Sequence, residues 1–510
     1  MSVPSQAREK CFYMEGLLNC ILWVHVAACI MVIWIRLLRL PKDSLCCFLI
    51  LTQISGAFEI RAAQSGHLTF DSSLEVTGKI SGYRGIWFDL GQRSAYGSKY
   101  SGGLGTYTAK HCPTAIYSKQ THKTFFVYGG TTQQEERRLL AMVGFFDHST
   151  GMVCQPTVVH DKQKVNDPHD NPSLSIDSEG YLWVFISGRA RHRPGFKYRS
   201  TEPYEIDAFE QISEEEFTYP QPWWIPGKGV LHLFTKYTQG RELYWNRSQY
   251  GLGWTNEQKL AGMGGHYQIS RCIGSRVITA FNYHPKGNVD KRTNLYFLET
   301  SNQGQSWQTV DQRKVTPPLT QTDHMALVKD YEADSRLVYL KDITLDGKGN
   351  PVILYITSDH HEPGPHLRNR EWTIAQWDGH EWNLTKITHA WHNYDMGSLY
   401  IEPDQTWRLI APIGPGPQRY GTGGEMAIWI RPAENRRWSH FRNLTEESPR
   451  NHGYARRPVN AHPDFYAFWA DGNPDRLTPS FLYFTNKNGT GLWKLPYTMS
   501  HELEKPIRQY

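Results

Sequence analysis

The chain has 510 residues, with 18 Trp, 28 Tyr and 21% charged residues, so its composition excludes a disordered or coiled-coil protein. Its formal net charge is only +5, and it contains no Lys/Arg run suited to a phosphate backbone, which argues against nucleic-acid binding. A mildly basic chain suits an acidic polymer such as a uronate or sulfated glycan, but a solvated surface without functional charge explains the balance equally well.

Two apolar runs occupy the amino terminus, at residues 17–34 and 45–57. Basic residues precede the second run and small residues end it, which is the pattern of a signal peptide. We therefore predict that residues 1–57 form a signal peptide or an amino-terminal anchor. Because the runs lie too close together for two separate spans, two explanations stay open. Either translation starts at Met31 and residues 1–30 are not part of the protein, or the segment is a genuine anchor.

This segment predicts export, to a secreted or periplasmic location or to a membrane that only an uncleaved amino terminus contacts. Beyond it the chain keeps Cys112, Cys154 and Cys272, an odd number without paired spacing. The protein is therefore not expected to be a disulfide scaffold.

From about residue 80 onward, short apolar or aromatic runs alternate with polar, Gly-rich turns, and helical periodicity is not sustained. This pattern predicts an all-β protein with one domain at 80–498, after a lead-in at 58–79 and before a carboxy-terminal tail at 499–510. Runs of strand length include TFFVYGG (124–130), YLWVFIS (181–187), VLHLFTKY (230–237), TNLYFLET (293–300), PVILYITS (351–358) and EMAIWIRP (425–432).

A weak repeat recurs among these strands, in which a strand enters a turn with Asp, Asn or Gly and a Trp follows. The Asx side chain and Gly are expected to close a hairpin, and the Trp to pack back against it. TSNQGQSW is close to the S-x-D-x-G-x-x-W hairpin of sialidase-type propellers, with Asn302 in place of the Asp. Radial repetition of such units predicts a single β-propeller, the alternative being a β-sandwich with accessory modules. The units are Asn302–Trp307, Asp378–Trp382, Asp404–Trp407, Asn435–Trp438, Asn488–Trp493 and, more loosely, Asp177–Trp183.

Polar and aromatic groups are concentrated in several segments between consecutive strands. They supply His, Tyr, Arg and Lys without an evident Ser or Cys nucleophile, which suggests acid–base chemistry on an anionic substrate. Taken singly, each is more often a hydrogen-bonded structural group, but loops at propeller strand ends share one face and can converge there. The residues are Lys110, His111, His148, His169, Asn171, Tyr219, Lys236, Arg241, His266, Tyr267, Tyr283 and His284.

The order of these segments resembles the BNR-repeat family that includes ulvan-lyase-type polysaccharide lyases. The resemblance covers about residues 80–498. It implies a seven-bladed β-propeller and β-elimination at a uronic acid of a sulfated algal polysaccharide. It rests on the runs DPHDNPSLSIDSEGYLWVFISG, TYPQPWW, FTKYTQGRELYW, GHYQIS and DFYAFWADGNP.

The resemblance also implies roles for individual residues. The two His of the family best match His148 and His169, and its Tyr best matches Tyr219. The Arg that neutralises the substrate carboxylate matches either Arg241 or the position of Lys236. If Lys236 holds that position, the bidentate grip of an Arg on a carboxylate is lost.

The chemistry of β-elimination agrees with these roles. The reaction removes the proton at C5, beside the carboxylate, and expels the oxygen on C4, so a cation on the carboxylate stabilises the enolate-like transition state. A neutral His or an ionised Tyr can take the proton, and a Tyr or His can protonate the leaving oxygen. We predict Tyr219 and one of His148 or His169 as the acid–base pair, with Arg241 or Lys236 on the carboxylate. Contacts with substrate are predicted for Lys110, His111, Asn171, Lys236, Tyr267 and Tyr283.

We predict no organic cofactor, whereas the resemblance suggests a structural metal ion, Zn²⁺ or Ca²⁺. His266, Cys272 and His284 are plausible ligands by chemical type. Their spacing is not a zinc signature, and a buried thiol with two hydrogen-bonded His explains them equally well.

The first hypothesis is thus a secreted, monomeric lyase acting on an anionic polysaccharide. The second is a non-catalytic carbohydrate-binding propeller. A sialidase-like hydrolase ranks last, because hydrolysis usually requires paired carboxylates or an arginine cluster with a Tyr nucleophile. Asp167 and Asp170 lie near His169 in sequence, but Asp170 is expected to cap the HDNP turn.

Overall fold

A computed structural model describes residues 76–133, 138–365 and 369–509, so the predicted signal or anchor segment lies outside the described residues. The described chain consists of strands and turns, with three short 3₁₀ helices at Pro168–Asp170, Pro285–Gly287 and Val289–Lys291. Within those residues, no helix has the length and hydrophobicity of a membrane span. The predicted all-β class is confirmed.

Seven antiparallel sheets of four or more strands follow one another along the described chain. Sheet 1 contains β1 (Gly78–Lys79), β6 (Ala115–Ser118), β7 (Lys123–Gly130), β8 (Leu140–Asp147), β9 (Met152–Cys154), β10 (Thr157–Asp161) and β37 (Leu503–Glu504). Sheet 2 contains β11 (Pro172–Ile176), β12 (Leu182–Ile186), β13 (Gly195–Ser200) and β14 (Phe209–Glu215). Sheet 3 contains β15 (Thr218–Ile225), β16 (Gly229–Tyr237), β17 (Arg241–Ser248) and β18 (Gln258–Ala261).

The remaining sheets continue in the same order. Sheet 4 contains β19 (Gln268–Ile273), β20 (Arg276–Tyr283), β21 (Thr293–Thr300), β22 (Trp307–Gln308), β23 (Lys314–Val315) and β24 (Leu327–Lys329). Sheet 5 contains β25 (Leu337–Leu345), β26 (Pro351–Ser358), β27 (Glu371–Trp377) and β28 (Trp382–His389). Sheet 6 contains β29 (Ser398–Ile401), β30 (Trp407–Ile413), β31 (Glu425–Arg431) and β32 (Ser439–Asn443). Sheet 7 contains β33 (Asn451–Arg456), β34 (Ala467–Gly472), β35 (Leu482–Thr485), β36 (Leu492–Lys494) and β38 (Ile507–Arg508).

Two small sheets precede β6 in the chain. They pair β2 (Trp87–Asp89) with β5 (Ser101–Gly103), and β3 (Arg93–Ser94) with β4 (Gly97–Ser98). The strand β5 contacts β33 and β34 of sheet 7.

Each large sheet packs against the next through its inner strands. β11 contacts β6 and β15, β19 contacts β15 and β25, and β25 contacts β29. The last sheet returns to the first, because the backbone N–H of Tyr117 donates to Val459 O (3.0 Å) and that of Val459 donates to Ala115 O (2.8 Å). Sheets that pack in chain order and close on themselves form a β-propeller, as the sequence predicts. The number of seven blades, which the resemblance implies, stays a prediction.

Both ends of the described chain add strands to outer edges. β1, within the predicted lead-in, pairs with β10. The segment predicted as a tail contributes β37, which pairs with β9, and β38, which pairs with β36. Unpaired strand edges expose backbone donors and acceptors, and these terminal strands satisfy them in sheets 1 and 7.

The predicted Asx–Trp turns are present as hydrogen-bonded hairpins. Asp177 accepts a hydrogen bond from the backbone N–H of Tyr181 (2.9 Å), and its other carboxylate oxygen accepts from Trp183 Nε1 (2.9 Å). Trp183 is buried, and its indole is bonded to its own hairpin, as expected for a structural repeat. In the last unit the turn is closed by Asn486 rather than by the predicted Asn488.

Candidate active site

A cleft opens where segments at the strand ends of several sheets converge. Its walls come from segments just before β6, β11, β19, β21 and β29, and from the first residues of β15 and β17. Five of the predicted site residues line it. They are Lys110, His169, Tyr219, Arg241 and Tyr267.

The cleft is strongly basic. Six Lys or Arg side chains line it, and no Asp or Glu is among its described lining residues. Two of the six are neutralised, because Lys99 pairs with Asp290 and Arg189 pairs with Asp167. An electropositive cleft of this kind attracts an anionic ligand. The four that form no ion pair with a described residue are Lys110, Arg241, Arg292 and Lys341.

Burial and neighbouring cations disfavour the charged forms of Lys110 and Lys341. Burial, followed by Arg292 and Lys341, lowers the pKa of Lys110 well below its ordinary value. Burial also lowers the pKa of Lys341 to about 7. A bound anion would favour the charged form of both side chains, so the lining of the cleft favours a negatively charged ligand.

Tyr219 and Tyr267 form a pair beside these cations, with ring centroids 5.7 Å apart. Burial raises the pKa of Tyr219 well above its ordinary value. Burial also opposes ionisation of Tyr267, but Arg241 and Arg292 outweigh it and lower the pKa of Tyr267. The guanidinium carbon of Arg292 lies 4.8 Å from the Tyr267 ring centroid. One hydroxyl of the pair thus holds its proton firmly, and the other releases it more readily.

An irregular start of β15 aims Tyr219 into the cleft. Its backbone has φ 56°, in the left-handed region that non-Gly residues rarely adopt. The pairing with β16 shifts register between Thr218 and Gln221, so Tyr219 lies in a bulge. The backbone N–H of Tyr219 donates instead to Ser187 Oγ (3.1 Å). Strain of this type is retained where the surrounding structure fixes a side chain in position.

His169 is held in one tautomer by its neighbours. Its Nδ1 lies 2.5 Å from an oxygen of Asp167, and its Nε2 lies 2.9 Å from Tyr100 Oη and 3.0 Å from Tyr107 Oη. Because a carboxylate only accepts hydrogen bonds, Nδ1 carries the proton and Nε2 accepts from the tyrosines. Burial lowers the pKa of His169 to about 4, so the ring is neutral at neutral pH.

The two acidic residues near His169 are structural. Asp167, rather than the predicted Asp170, caps the 3₁₀ turn by accepting from the backbone N–H of His169 (3.1 Å). Asp170 is buried and pairs with Lys162 (3.1 Å) and Arg193 (2.8 Å). Both carboxylates are therefore neutralised behind the wall of the cleft, which leaves no pair of acids for hydrolysis in the described lining.

His148 lies far from the cleft. It directly follows β8, at the end of sheet 1 where β7 begins. The last residues of β7 lie against Asn171, beside the cleft, at the other end of the same sheet. The eight residues of β7, at about 3.3 Å each, separate these two ends of the sheet by about 25 Å. The structure therefore does not bring His148 to His169, because it lies at the opposite end of its sheet.

Two predicted substrate contacts, His111 and Asn171, are fully buried behind the wall. His111 Nε2 donates to the backbone oxygen of His169 (3.0 Å), since its Nδ1 accepts from the backbone of Thr108. The amide of Asn171 donates to the backbone oxygen of Tyr107 (2.7 Å). Both residues position the segments that carry His169 and Tyr107 and do not face the cleft.

Lys236 and Tyr283 also lie outside the cleft lining. Lys236 Nζ donates to Glu257 Oε2 (2.6 Å) on the outer part of sheet 3. Of the two candidates for the carboxylate-binding cation, the cleft thus contains Arg241 and not Lys236. Tyr283 ends β20 and is only partly buried.

The three residues predicted as metal ligands do not converge. His266 and His284 flank the open end of the β19–β20 hairpin, whereas Cys272 pairs with Val277 near its turn. His266 Nδ1 donates to Asn282 O (2.8 Å), and Cys272 Sγ donates to Gly274 O (3.4 Å). An extended strand keeps the thiol away from the imidazoles, and no metal-binding group of described residues contains these three.

Several residues of the cleft were not predicted. Arg189 follows the strand β12 and Arg292 precedes β21, so their strand-end positions were the available signal. Lys341 lies within the apolar strand β25, where a charge is itself conspicuous. The others are aromatic and resemble core residues in sequence: Tyr100, Tyr107, Tyr394 and Tyr454.

Fold and cleft together define a β-propeller whose basic, tyrosine-rich cleft has no carboxylate in its described lining. Residues 145–390 match the model of the BNR repeat-containing family. The ulvan lyase of Nonlabens ulvanivorans is 22% identical over 265 residues, which cover 43% of this chain and 54% of that protein. The ulvan lyase of Alteromonas sp. (strain LOR) is 18% identical over 365 residues, covering 63% of this chain and 73% of that protein.

Solved structures of polysaccharide lyases are similar to this chain in fold. A polysaccharide lyase of the PL25 ulvan-lyase type superposes with a TM-score of 0.62 at 15% identity, covering 81% of this chain and 96% of that chain. The polysaccharide lyase Uly1 gives a TM-score of 0.55 at 10% identity, covering 81% and 98%. The predicted resemblance is confirmed: part of the chain matches the BNR repeat-containing family, and the chain is similar to ulvan lyases.

Proposed function

We propose that this protein is a lyase that cleaves a uronate-containing polysaccharide by β-elimination. One observation carries the proposal: Tyr219 and Tyr267 are paired beside Arg241 and Arg292 in a cleft without a described carboxylate. Elimination requires an acid, a base and a cation on the substrate carboxylate, and it requires no enzymic carboxylate. Hydrolysis by paired acids has no support in this lining.

In this mechanism the uronate carboxylate binds Arg241 and Arg292. Their positive charge stabilises the negative charge that develops on the carboxylate when the C5 proton leaves. Both side chains are free of carboxylate partners among the described residues, so binding need not break an ion pair of the protein. Lys110 lies 4.8 Å from the Tyr267 ring centroid, and a bound carboxylate would favour its charged form.

The two tyrosines then transfer the protons. Ionised Tyr267 takes the C5 proton, the C4–C5 double bond forms, and the bond from C4 to its oxygen breaks. Tyr219 is protonated because burial raises its pKa, and it gives its proton to the leaving oxygen. Tyr267 ends protonated and Tyr219 ionised, and proton exchange between the paired hydroxyls and solvent resets them. His169 is the second candidate base, since its ring is neutral.

The comparisons support a particular class of substrate. The curated relatives are ulvan lyases, and one PL25 neighbour was solved bound to -[GlcA(1-4)Rha3S]-. We therefore propose a sulfated, uronate-containing polysaccharide as substrate for an exported, monomeric protein. The seven large sheets of the described chain support a seven-bladed propeller as its scaffold.

The decisive experiment incubates the purified protein with ulvan and with other uronate polymers, and follows the ultraviolet absorbance of the unsaturated product. A matched control is the same polymer with its carboxyl groups reduced to alcohols, which lacks the activation at C5. We expect absorbance to rise with the uronate polymer only. Binding of the polymers without any rise would instead favour a carbohydrate-binding propeller.

A further inference from the structure

Three histidines lie together at the end of sheet 1 that is opposite the cleft, and the proposed reaction does not use them. His122 lies in the β6–β7 turn, and His148 directly follows β8. His462 comes from the connection between β33 and β34 of sheet 7. These three residues with Asp464 are called the histidine cluster below.

The geometry of the histidine cluster suits a small cation. One possible ligand atom each from His148, His462 and Asp464 lies within 4.8 Å of the others. Ligand atoms around a tetrahedral Zn²⁺ with bonds of about 2.1 Å lie about 3.4 Å apart, so small side-chain rotations suffice. The ring centroid of His122 is 5.5 Å from that of His148 and 5.4 Å from that of His462, so this imidazole lies beside the three candidate ligands.

The hydrogen bonds leave a ligand atom available. His148 Nε2 lies 2.8 Å from Thr124 Oγ1, whereas its Nδ1 is buried and has no hydrogen-bond partner among the described residues. A metal-bound imidazole commonly makes such a bond with its other nitrogen, which fixes the tautomer and the ring orientation. An unpartnered buried nitrogen with a fixed opposite nitrogen is what a metal ligand requires before the ion binds.

The position of the histidine cluster gives the ion a structural purpose. His122 and His148 belong to sheet 1, whereas His462 and Asp464 belong to the connection in sheet 7. The two sheets are the first and last large sheets of the described chain, and they close the propeller. The backbone of Val459 already forms hydrogen bonds between the two sheets, and an ion bound here would add a second link between sheet 7 and sheet 1.

We propose that His148, His462 and Asp464, with His122 beside them, bind a divalent transition metal of the Zn²⁺ class that fastens sheet 7 to sheet 1. Imidazole and carboxylate ligands suit Zn²⁺, whereas Ca²⁺ and Mg²⁺ take oxygen ligands almost exclusively. The site is separate from the cleft and from the residues that the sequence proposed as metal ligands.

The test compares the full protein with His462→Gln and Asp464→Asn, after removal of metal with EDTA and dialysis. Binding of Zn²⁺ is measured by calorimetry, and Co²⁺ serves as a visible-absorption probe of the coordination. The matched control is His440→Gln, because His440 is exposed in sheet 6 and bonds only Asn443. Circular dichroism checks that each variant is folded, and Asp464→Asn changes an exposed side chain that is least able to disturb folding.

We expect the wild type and His440→Gln to bind one Zn²⁺ that is lost or weakened at least about tenfold in the other variants, as for altered metal shells generally. Zn²⁺ should also raise the Tm of the wild type but not that of His462→Gln. Equal stoichiometry and affinity in all four proteins would overturn the proposal, as would a Co²⁺ spectrum that His462→Gln leaves unchanged.

Discussion

The cleft and the histidine cluster both gather imidazole and tyrosine rings, but they differ in the charges around those rings. In the cleft, His169 and Tyr267 lie among arginines and lysines, and the acid nearest His169 is already ion-paired. In the histidine cluster, Tyr117 packs against His148 and His462 with Asp464 nearby. The first setting favours anions and ionised hydroxyls, and the second favours a cation.

This contrast teaches that an imidazole's role is set by the groups that its second nitrogen meets. His169 Nδ1 faces a carboxylate, and its Nε2 meets tyrosine hydroxyls beside the cleft. His148 Nε2 meets Thr124, and its Nδ1 meets no hydrogen-bonding group of the described chain. The following variants pair a change in the cleft with a matched change outside it.

The largest effect is expected for the proposed acid. Tyr219→Phe should lower kcat of the elimination by about 10²- to 10⁴-fold, the usual loss when general acid catalysis is removed. Tyr117→Phe removes the same oxygen from a tyrosine that packs against the histidine cluster, and it should leave kcat unchanged. Steady-state kinetics on a uronate polymer would measure kcat of both variants. Similar losses of kcat in the two would contradict the assignment of catalysis to the cleft.

The next effect concerns the carboxylate-binding cation. Arg241→Ala should reduce kcat by about 10²- to 10³-fold, because a preorganised donor to the transition state is lost. Lys236→Ala is the matched control, since Lys236 lies in the same sheet but pairs with Glu257. Its kcat should equal that of the wild type, because Lys236 does not line the cleft. A greater loss for Lys236→Ala would assign the carboxylate to that residue.

The pH dependence separates the two candidate bases. A base must lose its proton to act, so with Tyr267 kcat/KM should rise about tenfold per pH unit below the pKa of Tyr267. The arginines lower that pKa, so the rise should end below the ordinary value for tyrosine. If His169 is the base, its pKa of about 4 gives a rate already level above pH 5 to 6.

The smallest effect should separate the two histidines. His169→Gln should lower kcat by about tenfold, because the acceptor for the Tyr100 and Tyr107 hydroxyls at the cleft is disturbed. His148→Gln should leave kcat at the wild-type value and change only Zn²⁺ binding. A loss of kcat in His148→Gln with intact fold would restore the role that the family resemblance implies for it.

Local patterns in the sequence predict much of the fold. Apolar runs of strand length are observed as β7, β12, β16, β21 and β26, because strands that are buried on both faces require continuous apolar runs. The Asx–Trp turns are also local, since Asp177 and Trp183 bond each other within one hairpin. The terminal strands β37 and β38 were not predicted, because each has only two residues and the partner of β37 is distant in sequence.

The candidate site is predicted less completely. Tyr219, Arg241 and Tyr267 converge, and their segments begin strands or directly precede them. His148 has an equally suggestive sequence context, but sequence does not tell which end of a sheet a turn occupies. Arg292 and Lys341 complete the cleft from sheets 4 and 5, and no local pattern relates them to Tyr267.

The sequence by itself determined the strands, the hairpin turns with their buried Trp and the supply of His, Tyr and Arg at strand ends, because each depends on neighbours within a few residues. Only the tertiary structure decided that His169 faces the cleft whereas His148 meets His462 of the last sheet. That choice depends on which strand ends the closed ring brings together, and ring closure joins residues that are more than 300 positions apart. Charge balance in the cleft depends in the same way on contacts between sheets, which no single segment encodes.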